Sequence, residues 1–274
     1  MIQDQNLNGQ YRIHRNLAVA EFRSGHYNEA IVSYNRAIEL NPNYAAAHAS
    51  LGDCHYRLGN YHEAIVSSNR AIVLDPNDAL AYIIFGEYQF KLGDRNVAID
   101  LYNKALGVLK VPNGQNHKKS AEKLIKAYQT YLNVDAEDKS AEDKRVKDIE
   151  AYKSLIEACE ILLSIDPKNV DALNEMGNSY NMLGKLLFEA SNYNSKAIEC
   201  YNKVLEMDPK NEVALLHKII SLRDIGEESE AKACEELLQL NDEIGDIVVA
   251  PECYNTANTV YPSGEASSSP DDMS

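Results

Sequence analysis

Along residues 11–112 the apolar letters recur at intervals of three and four, the spacing that gives an α-helix one buried face. They do so in blocks that repeat. GHYNEAIVSYNRAIELNP (25–42) returns as GNYHEAIVSSNRAIVLDP (59–76), with thirteen of eighteen letters the same at an offset of 34 residues. Gly25, Gly59 and Gly93 keep that offset, as do Ala30, Ala64 and Ala98, and Ala37, Ala71 and Ala105. Each block reads as two amphipathic helices. Glycine accepts the backbone angles of the tight turn between them, and the small alanines let the pair approach closely. Pro42 and Pro76 end the second helix, and Pro112 falls two residues late. A fixed period of this length predicts a stack of like units, each burying its apolar face on the next, in place of one globular core.

Beyond residue 112 the phase loosens. Leu124 and Tyr128 read as a first helix and YKSLIEACEILLSIDP (152–167) as its partner. Between them NVDAEDKSAEDKRVKDIE (133–150) carries the tandem AEDKS-AEDKR, a charge-dense text expected to be a solvated helix extension or a loop. Met176, Gly177, Tyr180 and Gly184 read as another first helix, and Ala197, Tyr201 and Pro209 as its partner. These halves are eight residues out of phase, so GKLLFEASNYNS (184–195) is expected to hold an insertion. Gly226 and Ala231 mark a last unit with the first helix VALLHKIISLRDI. The division expected is an N-terminal extension (1–10), three regular units (11–112) and three irregular ones (113–243). Insertions fall near 132–150 and 185–193, and an acidic Ser/Pro-rich tail (244–274) is expected to be disordered.

The letters Leu51-Gly52, Gly59, Tyr61, Ala64, Ala71 and Pro76 resemble the tetratricopeptide repeat family. So do Leu17-Ala18, Gly25, Tyr27, Ala30, Tyr34, Ala37 and Pro42 in the first unit, and Phe85-Gly86, Gly93, Ala98, Tyr102 and Ala105 in the third. The resemblance implies an all-α fold, a right-handed superhelix of stacked antiparallel helix pairs. It also implies that ligands bind on the inner, concave face formed by the first helices.

Composition narrows the function. Of the net charge of −15, residues 168–274 hold most, with eight Lys+Arg against twenty Asp+Glu. That acidity repels phosphate backbones, so no nucleic-acid partner is expected. No stretch approaches the eighteen or more apolar residues of a membrane span, and MIQDQNLNGQYRIH is not a secretory signal. Five scattered cysteines without a CxxC pair suit reduced thiols and a cytoplasmic location.

The sequence has no GxxxxGK[ST], GxGxxG, HExxH or GxSxG motif, so neither a cofactor nor a catalytic residue is assigned. His48, Cys54, His55 and His62 gather in one unit. His48 and His55 stand where the family places packing residues, and no metal is assigned.

On the family resemblance, the spacing of the first helices gives the candidate groove. Arg12, Arg15, Phe22 and Arg23 come from the first unit, Asp53, Tyr56 and Arg57 from the second, and Glu87, Phe90 and Lys91 from the third. Phe22-Arg23, Tyr56-Arg57 and Phe90-Lys91 place an aromatic beside a cation three times, 34 residues apart. Such a ladder offers apolar contact plus charge to an extended peptide or an amphipathic helix, and it is equally a packing pattern with a cation in each last helical turn. Asn174, Asn178 and Asn181, with Asp171, form a polar stripe whose amides can bond a peptide backbone, and which reads equally as a solvated helix face. Arg15 can serve one role in the Lys/Asn/Arg clamp by which some family members grip acidic carboxyl termini, but Val19, Ser50 and Ile84 stand where its polar or basic partners belong, so that mode of recognition is not expected. The expected function is a non-catalytic protein–protein interaction module, a scaffold or adaptor that takes a protein or peptide ligand. The alternative is a self-assembling structural or chaperone-like protein that shields a client polypeptide, with weak self-association.

Overall fold

The computed structural model describes residues 2–111, 117–134 and 140–242. They form twelve α-helices and, among the described residues, no strand. The first three pairs are α1 (Ile2–Arg23) with α2 (Tyr27–Leu40), α3 (Ala45–Arg57) with α4 (Tyr61–Leu74), and α5 (Ala79–Lys91) with α6 (Arg95–Leu109). Then come α7 (His117–Asn133) with α8 (Ala141–Ile165), α9 (Val170–Leu187) with α10 (Ala190–Met207), and α11 (Glu212–Asp224) with α12 (Glu228–Asp242). Each helix packs mainly on its partner and on the next pair, so the core is a succession of layers.

The repeating letters explain this stack. Gly25, Gly59, Gly93 and Gly226 take left-handed backbone angles (φ 79 to 88°) between the helices of a pair. In each case the following N–H reaches back five residues to close the helix, as Asn60 N does to the carbonyl of His55 at 2.9 Å. Ala30, Ala64, Ala98, Ala37, Ala71 and Ala105 are buried at the helix contacts. Gly86 and Gly177 lie where the aromatic ring of the second helix crosses the first. A Cβ on Gly86 would sit 2.4 Å from Tyr102, and one on Gly177 2.5 Å from Tyr201.

The extra residues of the fifth pair are absorbed as helix. Its left-handed turn residue is Phe188 (φ 57°), with the N–H of Glu189 bonded back to the carbonyl of Gly184. Gly177 stands eleven residues before this turn, where Gly52 and Gly86 stand seven before theirs, and Ala197 follows by nine where Ala64 follows Gly59 by five. Each helix has therefore grown by about one turn. The second AEDK copy likewise opens α8, where the Ser140 side chain caps the N–H of Asp143. Arg145 then reaches the end of α9, donating to the carbonyl of Leu186 at 2.9 Å with its guanidinium over the Phe188 ring. The 244–274 tail lies outside the described residues.

Candidate functional site

First helices alternate along the chain as α1, α3, α5, α7, α9 and α11. The longer α7 and α9, together with α11, enclose a cleft of about 230 Å³. From α7 it takes Gln129, Leu132 and Asn133, with Tyr152 of α8 at one side. One face of α9 lines it with Glu175, Asn178, Asn181, Met182 and Lys185, because positions three, four and seven apart share a helix face. His217 and Ile220 of α11 complete the wall.

Its floor is a hydrogen-bonded network. The buried Tyr201 hydroxyl of α10 donates to Asn178 Oδ1 at 2.8 Å and accepts from Asn181 Nδ2 at 3.1 Å. Ser221 Oγ donates to Asn181 Oδ1 at 3.0 Å. His217 Nδ1 also donates to Asn178 Oδ1. That bond fixes the neutral tautomer and leaves Nε2 as an acceptor. Burial, with a smaller effect from Lys185, lowers the pKa of His217 from 6.5 and keeps the ring neutral. Burial acts oppositely on Glu175: it raises the carboxyl above its ordinary 4.5, and a hydrogen bond from the Gln129 side chain offsets part of the rise. Asn174, next along the stripe, is buried, and its Oδ1 has no hydrogen-bond partner among the described residues.

Elsewhere most of the expected site residues are engaged with neighbouring side chains. The ring of Phe22 meets Tyr27 at 5.4 Å, and Tyr56 meets Tyr61 at 5.7 Å and stacks on Tyr88 at 4.4 Å. Phe90 lies 6.1 Å from Tyr131 and under the guanidinium of Arg95. Tyr27, Tyr61 and Arg95 are themselves 34 apart. The three aromatics are thus half-buried rings that brace the turn inside each pair. Arg57 pairs with Asp53 at 3.4 Å, and Glu87 with Lys123 of α7 at 3.1 Å. Arg15 donates to Asn16 at 2.7 Å. Arg12, Arg23 and Lys91 are exposed. His48 Nε2 meets the carbonyl of Pro42 at 3.1 Å, and Cys54 is fully buried.

Family models for the tetratricopeptide repeat match residues 18–59, 45–78 and 177–211. The chain is a tetratricopeptide repeat protein. A solved structure of PilF from Pseudomonas aeruginosa is 16% identical over 83% of this chain and 89% of its own, with a TM-score of 0.52. That likeness is one of fold. A structure of MamA is 24% identical over 72% of this chain and 95% of its own, with a TM-score of 0.45. The second tetratricopeptide domain of Spaghetti (RPAP3), bound to the HSP90 peptide SRMEEVD, is 25% identical over 39% and 99%, with a TM-score of 0.38. No curated protein matches the chain.

Tetratricopeptide numbering also shows which cleft residues the sequence reading passed over. Relative to the glycine at which the second helix crosses, Glu175 stands where Ser50 and Ile84 stand in earlier repeats. Counted back from its turn glycine, His217 occupies the same place. Carrying the first-helix register past the third repeat would have found both. Gln129 and Lys185 have no such signal, because α7 and α9 depart from the repeat length. Among the described residues no group of three His, Cys, Asp or Glu gathers to hold a metal, and no helix is long and apolar enough to cross a membrane.

Proposed function

We propose that this tetratricopeptide repeat protein is a non-catalytic interaction module, a scaffold or adaptor that binds a peptide or helix of a partner protein along its first helices. The observation that carries this reading is the α7–α9–α11 cleft. Its volume of about 230 Å³ lies below the roughly 300–1,000 Å³ of small-molecule sites. It is open along one face and combines apolar walls with amide and imidazole groups that suit a peptide backbone. Asn178 uses its Oδ1 on Tyr201 and His217. Its two N–H donors have no partner among the described residues and face a cleft where a backbone carbonyl can take them. His217 Nε2 can accept from a backbone N–H. The groove continues over the earlier first helices, where Arg12, Arg23 and Lys91 stay exposed as charged contacts. The four described cysteines are free thiols, in keeping with a reducing compartment such as the cytoplasm.

The test is a selection of random peptides displayed on phage against the immobilised protein, followed by measurement of each selected peptide on an Ile220→Arg variant. Ile220 is exposed on the cleft wall, so the long charged side chain blocks the cleft while sparing the core. Selected peptides should lose at least tenfold in affinity. Peptides that bind both proteins alike would place recognition elsewhere, and self-association in a sedimentation series without peptide binding would favour the self-assembling alternative.

A further inference from the structure

We infer that the α7–α9–α11 cleft selects an extended peptide segment that presents a lysine or arginine side chain to Glu175. This rests on the peptide-groove reading above and adds the chemistry of the partner.

Glu175 is the carboxylate of the cleft, half-buried on α9 with the Gln129 side chain hydrogen-bonded to it. Among the described residues no basic group forms an ion pair with it. Several carboxylates elsewhere in the stack do have a cation beside them: Asp53 has Arg57, Glu87 has Lys123, Asp166 has Lys118, and Glu230 has Lys218. A desolvated carboxylate left without a cation is costly, and its raised pKa records that cost. A ligand cation would relieve it. The basic residue of the cleft, Lys185, is ten positions further along α9, about 15 Å at the rise of an α-helix. It is exposed at the opposite end, so the cleft is negative at Glu175 and positive at Lys185.

The space beside Glu175 suits a long basic side chain. Leu132 and Met182 offer apolar surface to an aliphatic stem while its charged head reaches the carboxylate. Asn178, one turn along α9, offers donors to the backbone of the same segment. Small cations lack the stem and an acidic peptide would meet Glu175 with like charge, so a basic side chain on a peptide fits best. The separation of Glu175 from Lys185 corresponds to about four or five extended residues, which is the length of segment the cleft reads.

The test uses two dye-labelled, capped pentapeptides, Ala-Leu-Lys-Leu-Ala and its counterpart with norleucine for lysine. Both are titrated by fluorescence anisotropy into the full chain, a Glu175→Gln variant and the Ile220→Arg variant. Glutamine keeps the size and the hydrogen bond to Gln129 while removing the buried charge, so the variant should fold. The lysine peptide should bind wild type at least tenfold tighter than the norleucine peptide, and in Glu175→Gln that ratio should fall to about one. A ratio unchanged by Glu175→Gln overturns the inference. Equal binding of both peptides to wild type, lost in Ile220→Arg, also overturns it while leaving the groove reading intact. If neither peptide binds at about 1 mM, the weak end of specific affinity, the inference fails as well.

Discussion

Substituting alanine for glycine at two helical positions should change stability in opposite directions. At Gly177 a Cβ would lie 2.5 Å from Cε1 and 2.7 Å from Cζ of Tyr201. Carbon atoms in good contact stand about 3.5–4.0 Å apart, so the ring or the helix must move by about 1 Å. Tyr201 has little freedom to yield, being fully buried with its hydroxyl held between Asn178 and Asn181. Overpacking of this kind costs about 1–3 kcal/mol, and the better helix propensity of alanine returns about 1 kcal/mol. The difference is a net loss of up to about 2 kcal/mol. Gly107 lies in α6 with nothing within 4 Å of its Cβ position. There alanine gains about 0.5–1 kcal/mol by removing backbone freedom from the unfolded chain. Urea denaturation followed by the helix signal at 222 nm should separate the two variants by about 2 kcal/mol at unchanged slope. A Gly177→Ala protein as stable as Gly107→Ala would refute the close crossing of α9 and α10, and with it the placement of Asn178 on the cleft floor.

Glu175 holds its proton more tightly folded than unfolded, so it contributes most to stability below the ordinary value of 4.5, and that contribution is lost as pH rises through the raised value. Glu175→Gln should therefore melt above wild type at pH 7, with the gap closing as pH falls toward 4.5; a lower melting point at pH 7 would contradict the burial argument. Tyr56→Ala removes a ring stacked on Tyr88, and calorimetry should show a loss of about 2 kcal/mol. If the variant melts like wild type and only peptide capture falls, the aromatic series serves the groove rather than the turns. Burial pushes the Cys54 thiol up to about 12 and Cys200 to about 11, so peptide mapping should show both resisting iodoacetamide at pH 8 until the chain unfolds.

The sequence by itself determined the repeating part of this protein. Glycine at the turn, alanine at the helix contact and a 34-residue period act over a few neighbouring residues, and each repeat needs only the next one to bury its face. That local physics made the helix pairs and their family legible. The aromatic ladder shows where local reading stops. Spacing put Phe22, Tyr56 and Phe90 on one line, but whether a ring faces a groove or braces a turn depends on what packs against it. Tyr27, Tyr61 and Arg95 each flank a turn beside one of these rings, and the Tyr56→Ala comparison separates the two roles. The cleft is still less local, since it exists because α7 and α9 outgrew the repeat and enclosed space against α11. Asn178 and Asn181 were visible as an amide stripe, yet their pairing with Tyr201, His217 and Ser221 joins three helices. Glu175 reads as one more surface acid in an acidic half. Only tertiary packing buries it beside Gln129 without a cation, because desolvation is a property of the assembled neighbourhood and not of the residue.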